Sequence, residues 1–425
     1  MINHKKCFFI SIVLFVLLSS SLIALVNAEP SWVMWSKTFG GADYDQAYSL
    51  VKTQDGGYAI AGNTWSFGAG DADFWLIKTD GAGNMEWNET YGGAGYDSAS
   101  SLVRTSDEGF ALAGQTESFG AGLGDFLLVK TDEIGNMEWS RTYGGVGRDI
   151  ANSLVQTSDG GYAIAGDTYS FGAGEDDVWL VKTDGSGNMQ WNRTYGGGQS
   201  DWARSVIQTN DGGYAIAGRT FSFGAGGSSD FWLIKTDGLG NMEWNQTYGG
   251  ELNDRAYSLI EVSDGGYALA GISESFGAGS YDVWLVKTDD SGNMEWNHTY
   301  GGERNDDANS LVETSDGGYA LAGGTHSFGH GNNDFWLVKT DGSGNMEWNR
   351  FYGEAKNENA YSLVETSDGG FALAGGTEST GAGGSDVWFI RTNEQGVPEF
   401  PSWIILPLFL TITSIILIYR KRMKK

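Results

Sequence analysis

Tryptophan recurs along this chain at Trp35, Trp87, Trp139, Trp191, Trp244, Trp296 and Trp348, at intervals of 52, 52, 52, 53, 52 and 52 residues. A text that regular constrains the fold more than any other feature. Each copy must form the same small unit, and neighbouring units must bury what one alone cannot. One copy, from Met137 to Lys182, reads MEWSRTYGGVGRDIANSLVQTSDGGYAIAGDTYSFGAGEDDVWLVK and continues TDGSGN into the next, at Met189.

Four short strands can be read in that copy, at residues 153–157, 162–168, 177–183 and 189–195. A Ser-Asp-Gly-Gly turn joins the first two and an Asp-Gly-Ser-Gly-Asn turn the last two, with glycine free to take positive φ. A longer Ser-Phe-Gly-Ala-Gly loop separates the second and third. The four prolines, Pro30, Pro398, Pro401 and Pro407, all fall outside the repeats, as ladders that need every backbone donor require. Four strands in each of seven units predict an all-β, seven-bladed β-propeller of four-stranded blades over residues 29–392. An open stack of units is the competing architecture. The ends decide between them. One Trp strand, around Trp35, precedes the first full set, and three strands ending near Arg391 follow the last, so the two remnants complete a seventh blade and remove both free edges. From the inside outward the strands are named a (Ser-Leu-Val), b (Tyr-Ala-Ile-Ala-Gly), c (Trp-Leu-Val-Lys) and d (Met-Glu-Trp). Strand d is outermost because it is the most polar.

Both ends carry addresses. Lys5 and Lys6, the apolar stretch Phe8 to Val26 and the small residues before Glu29 read as a signal peptide over 1–28; an uncleaved anchor is the alternative. Trp403 to Tyr419 is nearly apolar over 17 residues, just long enough to span a bilayer core, with a linker at 393–402 before it. The basic tail 420–425 predicts that it sits inside and the body outside. A buried core helix would leave that tail unexplained. Setting the basic residues of both ends aside leaves 19 basic against 54 acidic residues, a net charge of −35. So acidic a body repels phosphate backbones, and nucleic acid is excluded as a partner. The single cysteine, Cys7, lies in the leader, so the body forms no disulfide and its stability rests on packing, with 17 Trp, 19 Tyr and 21 Phe to supply it.

Two resemblances follow from these residues. The Asp-Gly-Gly-Tyr, Ala-Gly, Asp-x-Trp-Leu and Gly-x-x-x-Trp pieces over about 33–392 resemble the secreted β-propeller-repeat proteins of bacteria and archaea, which implies the fold and little about activity. Val397-Pro398-Glu399-Phe400-Pro401, followed by the apolar span and basic cluster, resembles the PEF-CTERM sorting signal of archaeal surface proteins. It implies an archaeosortase-type processing enzyme as a partner; retention of a plain membrane helix is the alternative.

Acidic residues recur before strand a, at Asp45, Asp97, Asp149, Asp201, Asp254, Asp306 and Glu358, and again at the start of strand c, from Asp73 to Asp386. Hard cations want such oxygens, calcium being the ion the pattern would suit, but sevenfold identity favours carboxylates that accept loop hydrogen bonds. The Asp-x-x-Gly-Asn turns lack the alternating ligands of a calcium loop. The turn together with the Trp text that follows it faintly resembles the tryptophan-docking motif of quinoprotein propellers, but the spacing differs and no cofactor residues accompany it, so no cofactor is expected. Only His298, His326 and His330 remain in the body. The latter two sit four apart in a loop, where that spacing gives no shared face. Asn-x-Thr sequons begin at Asn88, Asn192, Asn245 and Asn297, on the outer strand where a glycan could attach; repetition of one accidental sequon is the plain alternative.

One position in the b–c loops does not repeat. It reads Trp65, Glu117, Tyr169, Phe221, Glu274, His326 and Glu378 round the ring, between flanks that nearly do. Aromatic and acidic side chains there would stack on sugars and accept their hydroxyls; drift at loop tips is the alternative. Successive connections alternate between faces, so b–c and d–a loops share one face. The chain leaves the last strand c at the other, which would turn the long loops away from the membrane. The expected function is a surface-anchored binding module for an extracellular glycan or protein. A polysaccharide-acting hydrolase or lyase and a structural envelope component are the alternatives.

Overall fold

The computed structural model describes residues 33–393. The expected signal peptide, the expected linker, the apolar span and the basic tail lie outside the described residues. Among those described, no helix is long and apolar enough to cross a membrane. Twenty-eight strands form seven four-stranded sheets, each antiparallel, arranged as the blades of a propeller. Blade 1 comprises Asp45–Lys52, Tyr58–Thr64, Asp73–Thr79 and Met85–Tyr91, and blades 2 to 6 repeat it. Blade 7 takes three strands from one end of the ring, Glu358–Glu365, Phe371–Thr377 and Asp386–Thr392, and its outer strand, Val33–Phe39, from the other.

Strand a is longer than its sequence suggests. In blade 3 it runs Asp149–Gln156 rather than starting at residue 153. The register slips between Ala151 and Ser153, and this bulge breaks the alternation that marks a strand. The close pairing of a with b explains one invariant glycine. A Cβ on Gly166 would stand 1.8 Å from the Ile150 carbonyl oxygen, so no side chain fits. In blade 6 regular pairing of strand a is confined to Ser310–Glu313.

The core lies between blades. Strands b and c are buried on both faces, hence their unbroken apolar text. Ala111, Phe126 and Leu128 of blade 2 pack on Leu154, Ile164 and Trp179 of blade 3, with the Phe126 and Trp179 rings 4.7 Å apart. Strand d clamps the next blade. Tyr143 donates its hydroxyl to the Gly187 carbonyl at 2.6 Å, and the Trp139 ring edge lies 2.6 Å from where a Gly187 Cβ would be. Gly187 also has φ +76°, so glycine is required there twice over. Inside six of the seven blades a buried lysine of strand c ties the a–b turn to strand d, as Lys78 reaches Asp55 at 2.7 Å and Glu86 at 2.8 Å; in blade 7 Arg391 stands there and reaches Asp368 at 2.6 Å.

The inner strands are belted. At six of seven junctions a strand-a amide donates to a serine hydroxyl of the preceding blade, as Leu154 does to Ser101 at 3.1 Å. The seventh blade closes through Trp35, whose ring meets Phe389 at 4.8 Å and Tyr58 of blade 1 at 6.2 Å, and through Trp388, which donates its indole N–H to Ser36 at 2.8 Å.

Candidate functional site

The b–c and d–a loops meet on one face, and the recurring aspartates position them. One oxygen of Asp45 accepts the Ser66 hydroxyl at 2.6 Å and the Gly41 amide at 2.8 Å, and the other accepts the Thr64 hydroxyl. The same serine and glycine bonds recur at Asp97, Asp149, Asp201, Asp254 and Asp306. Each carboxylate, fully buried, staples a d–a loop to a b–c loop. The strand-c aspartates do similar work from one oxygen, as Asp73 accepts the Ala69 amide at 2.6 Å, while their other oxygen is buried without a hydrogen-bond partner in six copies. Among the described residues no group of three or more His, Cys, Asp and Glu side chains is arranged to hold a metal ion.

The staples bring the non-repeating loop residues into a rim. The Trp65 amide donates to the Tyr44 carbonyl at 2.8 Å, extending the a–b ladder by one rung, and Glu117, Tyr169, Phe221, Glu274, His326 and Glu378 make the equivalent bond. Trp65 and Tyr169 are 44% and 54% exposed. Phe221, Glu274, His326 and Glu378 are half-buried against their neighbours. The rim is also cross-linked: Trp65 meets Tyr96 of blade 2 at 5.9 Å, and Glu274 accepts the Asn253 amide at 2.9 Å.

Below the rim lies a second ring, which the loop sequences do not contain. Three residues into strand a the blades present Tyr48, Ser100, Asn152, Arg204, Tyr257, Asn309 and Tyr361, and all seven line one central cavity of about 330 Å³. Between this ring and the rim lie Gln46, Ser98, Ile150, Trp202, Arg255, Asp307 and Asn359, opposite strand-b residues that include Asp167 and Arg219. These positions vary as much as the rim between flanks that repeat, so the criterion that found the rim would have found them. They lie inside strands, however, where a polar difference among copies does not stand out as a site. A larger groove, about 560 Å³, lies between blades 1 and 2 on the tight-turn face; Lys78 there pairs with Asp55 and Glu86, and Arg104 with Glu108, while Glu133 also lines it.

Two channel acids titrate unusually. Burial raises Asp167 to about 6, against the opposing effects of Arg204 and an Asn152 hydrogen bond. Burial raises Asp307 to about 7, although the Gly324 amide and Asn309 donate to it.

The sequon asparagines have a second partner. Asn88, Asn192, Asn245 and Asn297 are exposed, but each side-chain oxygen accepts an indole N–H from strand c, at 2.9 Å from Trp75 and 3.2 Å from Trp179. Asn349, which begins no sequon, makes the same bond to Trp336. Where blade 2 has Leu127 in place of the tryptophan, it has Ser140 in place of the asparagine. The asparagine is therefore explained by the indole. Asn192→Ala is expected to cost about 1 kcal/mol by leaving that donor unsatisfied, whereas Thr194→Ala, which destroys the sequon alone, is expected to leave the urea midpoint unchanged in unglycosylated protein.

No family model matches the chain. Among curated proteins it is similar to the regulatory protein FlaEY of Caulobacter vibrioides, 26% identical over 202 residues, which is 41% of this chain and 21% of that protein. The match thus spans about a fifth of the relative's length. Among solved structures it is similar to the Neurospora crassa Pan2 WD40 domain (10% identity, 81% of this chain and 88% of that one, TM-score 0.50). It is also similar to BBS1N solved in complex with ARL6DN (8% identity, 86% and 98%, TM-score 0.50). What they share is the propeller. The chain is a seven-bladed β-propeller repeat protein. At these identities the likeness carries the fold alone.

Proposed function

We propose that this propeller is a surface-anchored binding module that takes an extracellular glycan or protein on the face bearing the rim and channel mouth. One observation carries the reading. The non-repeating side chains of seven otherwise near-identical blades converge on one rim and the channel beneath it, while the opposite face presents tight, repeated turns. A purely structural ring has no reason to concentrate difference there. The signal peptide and apolar span read from the sequence support an outside location.

Replacing Trp65, Tyr169 and Phe221 together by alanine is expected to weaken binding more than about a hundredfold, as loss of central aromatic anchors does, and to leave the melting curve in place. A glycan array followed by calorimetry on the best hit measures it. A ligand whose binding survives the triple change but is lost on altering tight-turn residues would assign the other face.

A second reading has an observation of its own. Asp167 and Asp307, held near neutrality in the channel, have the titration range of general acids, which favours a polysaccharide hydrolase or lyase. Turnover of a bound glycan that vanishes in both Asp167→Asn and Asp307→Asn would establish it.

A further inference from the structure

Three arginines gather at one side of the mouth. Arg204 and Arg219 belong to blade 4 and Arg255 to blade 5, and at the equivalent positions of the other blades no residue is basic. The Arg219 guanidinium lies 3.5 Å from the centre of the Trp202 ring and 5.6 Å from that of Phe221, with those two rings edge-to-face at 6.0 Å. The stack takes one face of the guanidinium and fixes its plane, leaving the edge of the fork to find acceptors.

Acceptors are scarce. Among the described residues Arg219 has no ion-pair partner, and its Nε, like that of Arg255, is buried with no hydrogen bond. Arg255 has Glu274 at 3.5 Å, and Glu274 already accepts from Asn253. Arg204 donates to a neutral group, the Asn152 side-chain oxygen, at 3.0 Å. Burial, and then the proximity of Arg255 and Arg204, pulls the Arg219 guanidinium down to about 10. It stays charged at neutral pH, under repulsion from its neighbours. Against these three cations stand Glu274, at long range from Arg255, and the buried Asp167, whose charge acts on Arg204 and Arg219 without a direct ion pair to either.

An anion would complete the cluster, and its chemistry is constrained. The fork matches a carboxylate bidentately. The acidic body and the rim residues Glu117, Glu274 and Glu378 repel a polyanion, so the charge must come singly. Tyr169 on blade 3 and Phe221 on blade 4 offer ring faces at the same sector of the rim. The geometry points to a carboxylate-bearing sugar, a terminal uronic acid on an otherwise neutral saccharide, as the ligand of Arg219 and Arg255. This rests on the mouth being the binding face.

The test uses one neutral oligosaccharide prepared with a glucuronic acid end and with a glucose end, titrated calorimetrically against the full chain. The acid form is expected to bind at least about tenfold tighter. Arg219→Gln and Arg255→Gln are each expected to bring it down to the neutral form's affinity, leave the neutral form unchanged and not lower the melting temperature. Equal affinity for the two forms overturns the inference and leaves the mouth standing, provided that the triple alanine variant weakens both. Binding of neither form overturns it. So does competition by a diglutamate peptide or inorganic phosphate as strong as that by free glucuronate, since the site would then not be a sugar site. A drop in melting temperature of Arg219→Gln assigns the arginine to structure, which also overturns it.

Discussion

Trp35→Ala is expected to cost about 3 kcal/mol, the low end for losing a large aromatic side chain that is only part-buried. Its ring is the contact of blade 7's outer strand with Phe389, with Tyr58 in blade 1, and with Gly83, where a Cβ would stand 2.6 Å away. Deleting residues 29–40 does more. It strips the outer strand from a buried sheet, bares Phe389 and leaves an unpaired edge ready to template another chain. The truncated protein is expected to aggregate on warming well below the melting point of the parent. Thr38→Ala, on the exposed side of the same strand, is the control and should melt with the parent. Differential scanning calorimetry with light scattering reads all three. A truncated body that melts with the parent would mean that ring closure contributes nothing.

Stability is expected to peak near pH 4, well below neutrality, because two sets of carboxyls pull in opposite directions. Burial alone would raise Asp55, Asp159, Asp211 and Asp316, but hydrogen bonds from the strand-c lysines and from neighbouring threonines win and hold each at about 2. Their contribution is complete above the unfolded value of 3.8 and is lost as pH falls towards 2. Asp167 and Asp307 have the opposite sign. Raised to about 6 and about 7, they are best tolerated protonated, so their contribution is complete below 3.8 and is lost as pH rises through 6 and 7. Burial raises Asp73, Asp177, Asp230, Asp282 and Asp386 as well, which adds to the same limb. Discounted for channel water, Asp167 and Asp307 together are worth roughly 3 kcal/mol between pH 4 and pH 8. Melting temperature should therefore rise from pH 8 to about 4.5 and fall below about 3. Asp167→Asn with Asp307→Asn should flatten the neutral limb and leave the acid limb. A wild-type curve that is level from pH 4.5 to 8 would refute the assignment.

The blade count and ring closure were legible in the sequence because both depend on spacing, and the spacing of the tryptophans holds to within one residue over six intervals. Strands b, c and d could be placed to the residue, since each is bounded by glycine or a turn. Strand a was cut short because Asp149-Ile150-Ala151-Asn152 neither alternates nor looks apolar. Its polarity is that of a channel wall, and its lost alternation is the bulge at Asn152. The same four residues hid the inner half of the site. The rim was found by looking for difference among copies, and the rings of Tyr48 and Gln46 differ just as much, but polar variation inside a strand is visible as such only once the strand is known to begin there. The tie between Trp179 and Asn192 was also readable, since blade 2 changes both members together.

The serine belt around the inner strands sets what the mouth can do mechanically. Six of its junctions join neighbouring strands directly across the blade boundary, so the ring cannot dilate like an iris without breaking several bonds in concert. On the proposed reading, a ligand would meet the opening as it stands. Free and occupied protein should then superimpose closely, and the side chains fixed at the lip by ladder rungs and staples surrender little further freedom on contact. Selectivity in such a device comes from which residue each blade holds up to a fixed aperture, so exchanging the lip residues of one blade would retune one seventh of the opening and leave the rest untouched.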